Sequence, residues 1–271
     1  MNIYPKNLAE QVDFNIILDK LASYCYSNSA RQLANELKPS SSYEFIELQL
    51  NETSEFLLAI HKGDVLTATN FPDIDKELQL LSIENSVLST TQMVNIRKVV
   101  IITNKLIRFF SDKEIIYPQL KKRCDDLAED KFMVDSINEI IDESGTVKDQ
   151  ASFQLNSIRK ELQSNRKTAD RIYRSHIQRL KKLGHLADFE ESFVNGRRVL
   201  GVLSEHKREI KGIILSQSSS GKITFIEPQN VIEINNERLM FEDEEKKEIY
   251  RILKELTSLI QPYADLLNTY Y

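Results

Sequence analysis

Tryptophan is absent from the 271 residues, and cysteine, proline and glycine are scarce at 2, 6 and 7. Two distant cysteines, Cys25 and Cys124, build neither a disulfide framework nor a thiolate metal motif, as expected of a reducing cytosol. The four histidines are scattered without ligand spacing. So few glycines and prolines favour long helices over many turns. The longest apolar runs, such as VVIITN, fall far short of the ~20 residues that a membrane span needs. The opening MNIYPKNLAEQVDF lacks the basic-then-apolar pattern of a secretory leader. These absences lead to the expectation of a soluble cytoplasmic protein with no membrane partner.

A nucleotide-binding loop is also missing. Ser216 to Gln229, SQSSSGKITFIEPQ, places Gly221 and Lys222 as a P-loop would. That motif also needs an earlier glycine, a hydroxyl after the lysine and a following helix, which together hold the phosphates and Mg²⁺. Here those two positions are Ser216 and Ile223, and KITFIEP is β-branched, aromatic and closed by Pro228. The run reads as a strand, and SSSG as a turn between strands.

What is present is helical periodicity. Residues 13–37 predict one amphipathic helix with Asp13 as N-cap and Phe14, Ile17, Leu18, Leu21, Ala22 and Cys25 on one face. Further helices are expected over 42–61, 74–83, 89–110, 114–128 and 131–142, with a loop at KGDVLTATNFPDID. Each apolar stripe is most simply core packing. From 148 to 185, Ala151, Leu155, Ile158, Leu162, Asn165, Ala169, Ile172 and His176 recur at alternating spacings of four and three, a heptad seam. Asn165 and His176 read as polar residues that set register rather than as ligands. A helix of that span would extend about 57 Å and needs a partner. Ile249, Ile252, Leu256, Leu259, Tyr263 and Leu266 supply one, on a returning helix expected from near Gln229 to the C-terminus. Between the two helices, ESFVNGRRVLGVL carries the hairpin signal Asn195-Gly196, and EIKGIILS and KITFIEP add strands. The expected fold is mainly α: a helical core or lever domain at 1–147, a clamp arm at 148–228 carrying a small four-stranded antiparallel sheet, and a returning helix at 229–271.

Charge is lopsided. The chain carries −5 in total, yet 148–185 holds ten Lys/Arg and three Asp/Glu, a local +7. On a helical wheel Lys160, Lys167, Arg171, Arg174, Lys181 and Lys182 lie opposite the seam and Arg166 flanks it. A cationic stripe on a projecting arm suits phosphate backbones, which are bound by charge neutralisation and counterion release. The plain alternative is a solvated coiled-coil face. No nucleophile–base pair, metal cluster or paired-carboxylate site stands out, so no catalytic residue, cofactor site or metal site is expected within these residues.

Three segments resemble the MutS family, in its bacterial type-two branch associated with suppressing recombination. They are DFNIILDKLASYCYSNSARQLANELKPS, GTVKDQASFQLNSIRKEL and NGRRVLGVLSEHKREIKGIILSQSSSGKITFIEPQNVIEINNE. The last is the most specific, with Gly196, Arg197, Lys207, Arg208, Gly212, Ser218, Gly221, Thr224, Glu227, Pro228, Asn235 and Asn236 in the expected order. The resemblance implies the core or lever plus clamp of a DNA-acting ATPase that works as a homodimer around DNA near the nucleoid. In the family an ATPase domain using ATP and Mg²⁺ follows, and in this branch a small nuclease domain. The chain reaches Tyr271 inside a helical repeat without a Walker motif, so an excised, non-enzymatic fragment is expected. The mismatch-repair branch reads mispairs through a Phe-x-Glu pair in an extra N-terminal domain, and this chain begins directly with the core. Phe189-Glu190-Glu191 and Phe225-Ile226-Glu227 match the bare triplet only by coincidence. Branched DNA held by shape and backbone charge is therefore the expected partner. A ribosomal-RNA-gripping arm acting on stalled ribosomes, and a structural coiled-coil adaptor, are the alternatives.

Overall fold

A computed structural model describes residues 11–63 and 71–271. Part of the loop expected after residue 61, 64–70, lies outside them. The chain divides into two compact units, one of 1–148 with 253–271 and one of 149–252.

In the first unit, α1 (Phe14–Tyr24) and α2 (Asn28–Asn35) replace the single helix expected over 13–37. Ser27 takes an extended conformation, and its hydroxyl accepts from the Ala30 amide, which starts a second helix where the first has ended. Asp13 precedes α1 in a left-handed conformation and caps nothing with its side chain. Then follow α3 (Tyr43–His61), α4 (Asp75–Leu81), α5 (Thr90–Ser111), α6 (Pro118–Asp125) and α7 (Phe132–Ile140). Capping explains several boundaries. Ser89 and Gln92 form a reciprocal capping box at α5, and Pro118 opens α6 where its missing N–H costs nothing. The Glu55 carboxylate of α3 accepts from the Gln119 and Leu120 amides, so one helix caps the N-terminus of another.

The core of this unit is built on α5, through Met93, Ile96, Val99 and Val100, with Tyr117, Met133, Ile137 and Ile141. The expectation that every stripe is core fails at the N-terminal helices. α1 buries no residue, and α2 and α3 bury only Ala34 and Ala59. Ile17, Leu21, Phe56 and Leu57 remain exposed. α1 and α2 pack chiefly on each other and α3 on α6, and one neighbour cannot cover a stripe ≳100° wide.

In the second unit, a 3₁₀ turn at Asp149–Ala151 precedes α8 (Phe153–Leu183). The outgoing helix is thus shorter than the sequence suggests, about 46 Å at 1.5 Å per residue. Ser152 caps it, and Gly184 ends it at φ 72°, a left-handed conformation that suits glycine. The strands are β1 (Leu186–Val194), β2 (Arg197–Leu203), β3 (Gly212–Gln217) and β4 (Ile223–Pro228). They form a four-stranded antiparallel sheet in the order β1-β2-β4-β3. Asn195 and Gly196 sit at φ 50° and 74°, as a type I′ hairpin turn demands. The SSSG run is likewise a turn: the Ser218 hydroxyl accepts from the Ile223 amide, and Lys222 leads into β4. A Cβ at Gly212 would lie 2.1 Å from the Glu227 carbonyl oxygen, so the β3–β4 pairing needs glycine there.

The returning helix α9 (Ile232–Ile260) starts after a 3₁₀ turn at Gln229–Val231 and does not reach the C-terminus. Pro262 falls in a 3₁₀ turn, and α10 (Ala264–Tyr270) follows. Leu259, placed in the seam by the sequence, is 44% exposed, whereas Ile260, Leu267 and Tyr270 are buried. The buried line has already moved from Leu259 to Ile260 before the turn, as a helix of 3.6 residues per turn drifts from a heptad repeat.

Candidate nucleic-acid interface

The outgoing seam appears in the structure and then drifts. Leu155, Ile158, Leu162, Asn165 and Ala169 are buried as expected, but Tyr173 and Leu180 carry the line onward instead of Ile172 and His176. A straight helix at 3.6 residues per turn departs from a 3.5 repeat, and beyond Ala169 the sheet replaces a helix as neighbour. Tyr173 and Leu180 pack there with Leu200, Val202, Ile210, Ile226 and Val231.

Polar contacts fix α8 against α9. Ser152 donates to Glu248 (2.6 Å) and Arg159 to Glu245 (2.7 Å), while Asn165 donates to the Ile234 carbonyl (3.0 Å) and to Glu237 (3.2 Å). His176 Nε2 lies 2.9 Å from Asn230 Oδ1. Partners fall in number along α9 as positions rise along α8, so the two helices run antiparallel. Arg251 and Ser152 hydrogen bonds hold the buried Glu248 carboxyl far below the ordinary carboxylate range, at about 2.

A second network ties the sheet to the start of α9. Arg197 grips Glu227 through both carboxylate oxygens, at 2.8 and 3.0 Å, and also donates to Asn236. The Asn235 amide donates to Glu227 (2.7 Å) and reaches the Tyr173 hydroxyl and the Arg198 carbonyl, each at 3.3 Å. Arg198 pairs with Asp170 and Glu191 and lies over the Tyr173 ring. Burial pushes the Tyr173 hydroxyl up to about 12, and it donates to the Arg198 carbonyl. Sequence reasoning missed this network, because its members sit on a helix, three strands and a second helix.

All seven cations singled out from the sequence, Lys160, Arg166, Lys167, Arg171, Arg174, Lys181 and Lys182, are exposed on α8. Among the described residues, Lys160, Arg166, Lys167, Arg171, Arg174 and Lys182 form no ion pair. Four less exposed arginines of this unit behave differently: Arg159, Arg197, Arg198 and Arg238 are each matched with carboxylates. Lys160 and Arg166 border a hollow of about 470 Å³ shared with Arg159, Gln163, Asp149 and Glu245, where the charge is mixed. Lys167, Arg171 and Arg174 line a shallower one of about 350 Å³. Lys181 and Lys182 occupy the last turn of α8, where cations also stabilise the helix dipole. Arg179, left out by the wheel argument, is exposed too and continues the Arg171–Ser175 row at i+4.

Among the described residues no helix is long and apolar enough to cross a membrane. No family model matches the chain. It is similar to curated proteins named Endonuclease MutS2. With that of Lactococcus lactis subsp. lactis it shares 29% identity over 260 residues, and with that of Staphylococcus haemolyticus 28% over 264. The protein of Alkaliphilus oremlandii is 30% identical over 257 residues. These alignments cover 94–96% of this chain. The chain spans about a third of the length of the curated relatives it matches.

Proposed function

We propose that the 149–252 unit is a clamp whose outgoing helix holds a nucleic-acid backbone, within the core and lever region of a homodimeric MutS-like ATPase acting on branched or recombination-intermediate DNA. The observation that carries this reading is the sorting of cations on the arm. Among the described residues six of them face solvent without carboxylate partners, while Arg159, Arg197 and Arg198 are neutralised. Lys160 to Lys182 spans about 33 Å of helix, close to one turn of duplex DNA at about 34 Å. Similarity to proteins named as endonucleases supports a nucleic-acid partner. ATP and Mg²⁺, the nuclease step and suppression of recombination belong, on this reading, to the complete protein and not to these residues.

Reversing Lys167, Arg171 and Arg174 to Glu tests the proposal. Phosphate-backbone binding is sequence-independent and falls steeply with salt, each contact contributing about 0.9 to the slope of log K against log salt on duplex DNA. The triple variant is expected to bind branched DNA at least ~10-fold more weakly at moderate salt, through lost contacts and added repulsion. Its melting temperature stays close to that of the wild type, because the three side chains are exposed. Equal affinity of variant and wild type sinks the proposal and leaves the arm as a solvated strut. Competition between branched DNA and ribosomes, measured on the same pair of proteins, separates DNA from ribosomal RNA as the backbone held.

A further inference from the structure

The end of the sheet next to Gly184 holds a cluster that the nucleic-acid reading does not use. His185 follows the helix-ending glycine, with its amide bonded to the Leu180 carbonyl and its carbonyl accepting from the Leu203 amide, both at 3.0 Å. His206 and Glu209 lie on the 3₁₀ helix Ser204–Glu209 that links β2 to β3. With three residues per turn, positions i and i+3 eclipse, which puts the imidazole and the carboxylate on one edge. His185 and His206 then stack with ring centroids 3.6 Å apart and 15° between planes. Both Nδ1 atoms face the same carboxylate: His185 Nδ1 is 2.9 Å from Glu209 Oε2, and His206 Nδ1 is 3.1 Å from Oε1. The His185 contact has ion-pair distance but not hydrogen-bond geometry, so among the described residues that buried nitrogen lacks a hydrogen-bond partner.

We propose that His185, His206 and Glu209 form a binding site for a divalent transition metal, with zinc the best fit. Their ligand atoms lie within 4.8 Å of one another, and this is the one such trio among the described residues. Two imidazole nitrogens and a carboxylate oxygen match the borderline-soft preference of zinc, and water completes a tetrahedron. Zinc bonds of about 2.0–2.2 Å set tetrahedral ligands about 3.4 Å apart. The present nitrogen–oxygen separations of 2.9 and 3.1 Å therefore need only a small retreat of the half-exposed Glu209 and an opening of the stacked rings. Each imidazole binds as the neutral Nε2–H tautomer, with the Nδ1 lone pair on the metal. Glu205 Oε1, 3.5 Å from His206 Nε2, is placed to accept that outer N–H, as carboxylates do behind metal-bound histidines. The ion would join the end of α8 to the β2–β3 connector and so stiffen the base of the sheet.

Titration of the metal-free 271-residue chain with Zn²⁺ alone, followed by calorimetry and by thermal melting, tests this. One equivalent is expected to bind, with a rise in melting temperature that Mg²⁺ does not reproduce, because Mg²⁺ requires oxygen ligands. His206→Ala, and the more conservative Glu209→Gln, are each expected to weaken zinc binding at least ~10-fold, by loss of one of three protein ligands. Glu209→Gln keeps the size of a half-exposed side chain, so it reports on the metal even if an alanine variant fails to fold. Zinc binding that survives unchanged in Glu209→Gln and in His185→Ala/His206→Ala lies elsewhere and overturns the proposal. So does the absence of any zinc-dependent change in the wild type.

Discussion

Replacing Glu227 by Ala tests the network that joins the sheet to α9. Its carboxylate is 1% exposed and receives three hydrogen bonds, two from Arg197 and one from Asn235. Removing it leaves a guanidinium facing an empty site, and breaking a buried ion pair from one side costs about 3–5 kcal/mol. Two features place this case at the lower end. Arg197 is 26% exposed and retains Asn236, and the Asn235 amide retains the Tyr173 hydroxyl and the Arg198 carbonyl. We expect a loss of about 3 kcal/mol, most of it from the stranded charge rather than from the pair itself. If the chain melts as one, that lowers Tm by roughly 6–12 °C, and by about twice that if the 149–252 unit melts alone. Calorimetry distinguishes the two cases by the number of transitions. In the Arg197→Ala/Glu227→Ala double variant no charge is stranded, so it is expected to cost less than the sum of the singles by about 1–3 kcal/mol. A single-variant loss below about 1 kcal/mol, or additivity within about 0.5 kcal/mol, refutes the reasoning.

Two further outcomes follow from particular side chains. Glu248 has a native pKa of about 2 against an ordinary 4.5. A depressed carboxylate contributes stability in full above its unfolded value, and that contribution is lost as pH falls from about 4.5 towards 2. Melting curves across that range are expected to show acid destabilisation that Glu248→Gln lessens, and an unchanged acid profile in the variant counts against the pairing with Arg251 and Ser152. Lys222 leads into a strand rather than a phosphate-binding helix, so the chain is expected to show no saturable ATP binding, and binding abolished by Lys222→Ala contradicts that.

Local signals were the legible ones. Asn195-Gly196 fixes its own turn, because two successive positive φ values are tolerated by few residue pairs, and the hairpin of β1 and β2 follows from it. The α8 seam is visible wherever one helix faces another, and it misleads past Ala169, where the neighbour becomes a sheet. The break at Pro262 had a plain signal: a proline inside a helical pattern removes a hydrogen bond, and heptad spacing across it carries no weight. The N-terminal stripes show the opposite limit. Ile17 and Phe56 have helical periodicity, but periodicity says that a face is apolar and not what covers it.

The cation face was legible for a simpler reason, since exposure on a single helix depends only on angle. Arg197, Glu227 and Asn235 were not, because 30 residues separate the ion pair and only the sheet register brings Arg197 near Glu227. The His185 cluster needed the conformation of a six-residue 3₁₀ helix, which no periodicity announces.

The residues that carry the family resemblance and those that carry the proposed binding are different sets. Gly196, Gly212, Gly221, Arg197, Glu227, Asn235 and Asn236 are held by turns, a close backbone approach and an internal hydrogen-bond network. None of them presents charge on the outer face of α8. Similarity across this string therefore supports a shared scaffold, whereas contact with phosphates rests on exposure and charge alone. The two can be separated in one experiment. Glu227→Ala is expected to lower the melting temperature while leaving every α8 cation in place, so below the transition it retains salt-sensitive binding. The Lys167, Arg171 and Arg174 reversals are expected to do the reverse, losing binding without losing stability. Should Glu227→Ala abolish binding in a fully folded sample, the network takes part in recognition, and assigning it to the scaffold is wrong.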